Sequence, residues 1–155
     1  MPINSLAEAS IGHLQREVDL MERLHVIVQE MRSAMLSQDD DRITKILSSM
    51  QQIDFGQVHA ERERYRQQIA TVLGITPGRA NFRALSRRCD PSTAEAILSL
   101  CEQLRGIARN VSTLSIANGN LAFQLWEVLE KAFCALGGAN GAPIVYEASG
   151  HRRVA

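Results

Sequence analysis

From Leu100 onward the apolar residues advance by four, three, four and three: Leu100, Leu104, Ile107, Val111, Leu114, then Leu121, Leu125, Val128 and Ala132. That spacing keeps one seam of a long α-helix turned toward a partner helix and winds the pair left-handedly. Asn118 is the one polar residue in the seam. An amide there needs a hydrogen-bond partner, so it fixes register or marks a site. A seam of this kind has no catalytic meaning of its own; it describes a helical rod that contacts other helices.

The same reading applied upstream predicts a first helix from about residue 6 to 37. Ile11, Leu14, Val18, Met21, Leu24, Val28, Met31 and Met35 recur there at steps of three or four. The acidic run Asp39, Asp40, Asp41 ends it and caps the next, because carboxylates accept from the free N–H groups at a helix start. A connection this short makes the two helices antiparallel neighbours. The second helix begins near Asp41 and continues through Ile43, Ile46, Met50, Val58, Tyr65 and Ile69 to a stop at Gly74, with a bend at Gly56. At ~1.5 Å per residue each of these helices approaches ~50 Å, so an elongated molecule is expected.

Between Pro77 and Pro91 the periodicity weakens, leaving one short helix that carries Phe82 and Leu85 and is capped by Asn81. The run Asp90, Pro91, Ser92, Thr93, Ala94, Glu95 then signals a helix start: a cap residue, a proline in the first turn, and Ser92 and Glu95 spaced as in a capping box. The last helix runs to about residue 136, where Gly137 and Gly138 stop it. The expected fold is all-α: an elongated antiparallel helical bundle or coiled coil with two long N-terminal helices, a short bridging helix and a long C-terminal helix. One domain covers 1–138, and 139–155 forms a flexible tail.

Composition narrows the function classes. The 155 residues are 45% hydrophobic and 22% charged, which is globular, and the formal net charge of zero argues against wholesale nucleic-acid binding. No apolar run is long enough to span a bilayer, and the N-terminus lacks the pattern of a signal peptide. Cys89, Cys101 and Cys134 are odd in number and widely spaced, which fits a reducing cytoplasm.

Catalytic and metal readings fail. Glu22 and His25 make one Glu-x-x-His pair, half of a di-iron bundle site, and the chain has no second pair. His13, His25, His59 and His151 form no ligand set and are expected at surface or boundary positions. Neither His13 nor His59 has the flanking lysine and glycine of a phosphotransfer histidine. No enzyme, metal or cofactor is expected.

Charge is uneven along the chain. Residues 1–63 hold eleven acids against six bases, a net −5, and Arg64, Arg66, Arg79, Arg83, Arg87 and Arg88 follow without an acid. RNA or an acidic partner is one reading of that stretch. Without aromatic platforms between the arginines, a solvated face neutralised by the acidic helix is the one preferred.

The final helix is apolar well beyond its seam. Ile116, Phe123, Trp126, Leu129 and Phe133 widen the apolar arc and leave Asn120, Gln124, Glu127 and Lys131 as a narrow polar edge. These rings either pack on the first helix and the segment of Phe82 and Leu85, or form a groove for an amphipathic helix of another protein.

With these elements in order, the chain resembles the FlgN-like flagellar export chaperones over nearly its whole length. The resemblance rests on the N-terminal helical hairpin, IATVLGI (69–75) closing the second helix, NGNLA (118–122) in the last helix, and a Tyr-x-x-x-Gly element at Tyr146 and Gly150. The family pattern usually carries another asparagine one turn before the one matched by Asn118; Leu114 and Ser115 stand there instead.

The resemblance implies a chaperone that binds the C-terminal helical segment of hook-associated, hook-filament junction proteins. It would keep them unassembled and deliver them to an export-gate component. The candidate protein-binding residues are Ile116, Asn118, Phe123, Trp126, Leu129 and Phe133, with Tyr146 in the tail for a second partner. No nucleic acid and no membrane insertion are expected, and the protein should be a monomer or weak homodimer. The competing reading is a structural coiled-coil adaptor that homodimerises through the long C-terminal helix.

Overall fold

The computed structural model describes residues 2–136, 145–146 and 152–153. Among them are five α-helices: α1 (Ile3–Ser37), α2 (Asp40–Gln51), α3 (Phe55–Leu73), α4 (Phe82–Ser86) and α5 (Pro91–Leu136). A 3-10 turn lies at Pro77–Arg79, and two-residue strands, Val145–Tyr146 and Arg152–Arg153, pair antiparallel. The chain divides into two compact units, Met1–Asn118 and Gly119–Ala155. The Gly137-Gly138 stop, and all of the expected tail but the two strands, lie outside the described residues.

The all-α class is as the apolar periodicity predicts. One element differs. The second long helix is two helices, because Asp54 turns its carboxylate onto the Gln57 N–H at 2.9 Å and caps a fresh start. The weak point is therefore just ahead of Gly56 rather than a bend at it. Upstream, Gln38 closes α1 in the left-handed region at φ 54°, and Asp39 accepts from the Arg42 N–H at 3.0 Å to open α2. Asp40 and Asp41 follow in the first turn of α2, where negative charge faces the positive end of the helix dipole. Gly74 ends α3 at φ 64°, a backbone state that glycine adopts without steric penalty.

Asn81 caps α4 by accepting from the Ala84 N–H at 2.8 Å, as its position predicts. At the start of α5 Asp90 is the cap residue, as the start signal expects, while Ser92 turns to Asp90 instead of closing a box with Glu95. One Asp90 oxygen accepts from the Ser92 hydroxyl at 2.6 Å and the Thr93 N–H at 3.0 Å. The Ser92 and Thr93 bonds hold its carboxyl well below the usual carboxylate range.

Within the first unit the contacts set the helix directions. Ala9, His13 and Glu17 of α1 meet Tyr65, Glu61 and Arg62 of α3, so α3 runs back along α1. Glu22 and Val28 of α1 meet Gln103 and Asn118 of α5, ascending in both, so α5 returns parallel to α1. The main core joins Leu6, Leu14, Val18, Ile69, Leu85, Ile97 and Leu104. A smaller cluster of Leu24, Val28 and Val111 lies further along α1, with Met50 and Ile53 packed against it. Each such side chain contributes roughly 1.5–3 kcal/mol when fully buried.

Candidate functional site

The α5 seam is covered as far as Asn118. Ile97, Leu104, Val111 and Asn118 are buried, and Leu100, Ile107 and Leu114 are half-buried between them. The Asn118 amide nitrogen donates to the Val28 carbonyl at 2.9 Å, while its oxygen is enclosed without a partner. Of the two roles the seam allows it, this contact is the structural one. Ile116 is two residues away, projects roughly 160° from Asn118 on the helix wheel, and is 64% exposed.

In the second unit the balance reverses. Phe123, Trp126 and Leu129 are 63%, 55% and 66% exposed, and Leu121 and Leu125 are half-buried. Steps of three residues set Phe123, Trp126 and Leu129 about 60° apart on the wheel, so they form one oblique stripe. Phe123, Trp126 and Leu129 belong to neither buried cluster. The Phe133 side chain lies outside the described residues. Tyr146 falls in the first strand, and its side chain is likewise outside them.

A buried polar cluster escaped the sequence reading. His13, expected near the surface, is 1% exposed. Its ring stacks on Tyr65 with centroids 4.5 Å apart, and Phe82 lies 6.0 Å away. Its Nε2 is 3.2 Å from Glu17 and its Nδ1 3.4 Å from Glu61, with neither nitrogen aligned for a hydrogen bond. Glu17, 5% exposed, accepts two bonds from the Arg62 guanidinium, at 2.6 and 2.8 Å. Tyr65 donates its hydroxyl to the Ala9 carbonyl at 3.0 Å. A bidentate carboxylate–guanidinium pair is geometrically demanding, so the cluster fixes how α3 lies on α1.

The signal for it was present: Ser10, His13 and Glu17 share the helical face of Leu6, Leu14 and Val18, all of them buried. Burial also removes His13 from reach of a phosphate donor. Burial pushes the Cys89 and Cys101 thiols up, away from nucleophile chemistry. Among the described residues no group of three His, Cys, Asp or Glu could hold a metal ion. No described helix is long and apolar enough to cross a membrane.

The features together define an all-α protein with a tightly knit helical unit and apolar side chains exposed on the far part of its last helix. A family model described as FlgN protein matches residues 1–153, and the chain belongs to that family. It is thus a flagellar export chaperone in the general sense that membership carries. No curated protein and no solved structure matches it.

Proposed function

We propose that the chain binds the C-terminal helical segment of hook-associated proteins through the exposed stripe of α5 and keeps them unassembled for export. The observation that carries this reading is the exposure of Phe123, Trp126 and Leu129 at helical spacing. Aromatic rings each bury on the order of 150–250 Å² when covered and are the usual anchors where an amphipathic helix docks. Unassembled junction proteins carry amphipathic helices that pack only in the filament, and covering them suppresses aggregation. Binding by mass action needs no nucleotide and no chemistry, so the chaperone works in the cytoplasm without an enzymatic step. The segment around Tyr146 serves as a short docking element for the export-gate component.

Calorimetric titration with a hook-associated protein's C-terminal helical peptide tests this. A saturable one-to-one complex is expected, weakened at least tenfold by Phe123→Ala with Trp126→Ala while helicity stays unchanged. Absence of binding at several temperatures sinks the cargo reading. A tight homodimer in sedimentation equilibrium that ignores the peptide favours the coiled-coil adaptor instead.

A further inference from the structure

Residues 64–89 hold six arginines and no acid, and the structure exposes all six. They lie on the second half of α3, the 3-10 turn, and α4 with the turn after it. Arg66 pairs with Glu63 at 3.3 Å. Among the described residues Arg64, Arg79, Arg83, Arg87 and Arg88 have no ion-pair partner. The acidic first half of the chain therefore reaches this stretch by direct ion pairing, among the described residues, at Arg66 and at none of the other five arginines.

Two further observations give the patch a shape. The Cys101 thiol on α5, pushed up by its burial, is pulled back by the charges of Arg105, Arg62 and Arg83. Those arginines come from α5, α3 and α4, so three helices bring guanidinium groups to one neighbourhood. Arg62, Arg66, Ile69, Ala80, Asn81 and Phe82 also line a cleft of about 170 Å³. Phe82 is half-buried, with its ring 6.0 and 6.1 Å from those of His13 and Tyr65. Guanidinium forks match carboxylates two bonds at a time, and the Ile69, Ala80 and Phe82 part of the cleft can take one aliphatic side chain.

We infer that the α3–α4 face is a docking surface for an acidic segment of a partner protein, with one aliphatic side chain of that segment in the cleft. The surface belongs to the first unit and is independent of the cargo stripe on α5. Fluorescence anisotropy of the full chain with a labelled peptide of glutamates around one leucine tests it. A matched peptide with alanine for the leucine and a single-stranded oligoribonucleotide serve as competitors.

The acidic peptide should bind, and added salt should weaken it. Arg79→Gln, Arg83→Gln and Arg87→Gln together should weaken it about tenfold, with unchanged circular dichroism. Trp126→Ala should leave it alone, and the alanine peptide should bind several-fold more weakly. The inference is overturned if the acidic peptide does not bind, if the arginine substitutions have no effect, or if Trp126→Ala removes binding. A preference for the oligoribonucleotide, or equal binding of the alanine peptide, also overturns it.

Discussion

The seam of α5 repeats with the same spacing on both sides of Asn118, yet Leu104 and Val111 are buried while Val128 is 63% exposed. An apolar period determines which face of a helix turns inward; it carries no information about whether anything covers that face. In the first unit Ile97 and Leu104 pack with Leu14, Val18 and Ile69, and Val111 packs with Leu24 and Val28. In the second unit the widest apolar stretch of the chain is also its most exposed.

The contrast can be tested from its strongest consequence downward. Ile97→Ala or Leu104→Ala should lower unfolding stability by ~2–5 kcal/mol in denaturant titrations. The same truncation at Val128 or Leu129 should stay within about 0.5 kcal/mol; a larger loss there would erase the distinction between the two stretches. Arg62→Ala leaves the buried Glu17 carboxylate without its guanidinium. Arg62 itself is half exposed, so the loss should be about 2 kcal/mol, below the range for fully buried pairs.

Asn118→Ala removes the bond to Val28 and should cost about 1 kcal/mol, without the effect on cargo affinity expected of Trp126→Ala. Gly119→Ala, one residue into the exposed stretch, meets nothing within 4 Å and should stabilise α5 by roughly 0.5–1 kcal/mol. A loss there would mean that the glycine is needed for its backbone freedom.

The smallest effect is at the exposed N-terminal cap of α5. Asp90 is held below its ordinary value of 3.8 by its bonds to Ser92 and Thr93. A carboxyl depressed on folding adds stability that is complete above the unfolded value and is lost as pH falls through the folded one. Asp90→Asn should therefore lower stability at neutral pH, modestly because the amide oxygen can still accept at the cap, and the deficit should shrink as pH falls below about 4, flattening the acid limb.

What the sequence made legible follows from how local the causes are. Asn81 and Asp90 announce α4 and α5 because a cap acts within three residues. The break between α2 and α3 hid because the apolar residues on either side fit one continuous pattern, and a single side chain, Asp54, decided against it. The His13 cluster hid for another reason. Glu17 and Arg62 stand 45 residues apart, and only tertiary packing makes a polar residue inside an apolar stripe affordable. At the candidate site the anomaly of Asn118 in the seam was visible. Its attachment to α1, and the exposure of Phe123 and Trp126, depend on which neighbour covers which turn.

An apolar repeat is nearly degenerate to sliding: displaced by seven residues, α5 would offer α1 much the same leucines and valines. Asn118 lifts that degeneracy. Shifted one heptad either way, Val111 or Leu125 would face the Val28 carbonyl, and the amide would be stranded among methyl groups. The helix pair thus behaves like a vernier on which one mark, the Asn118 amide, lines up at a single setting.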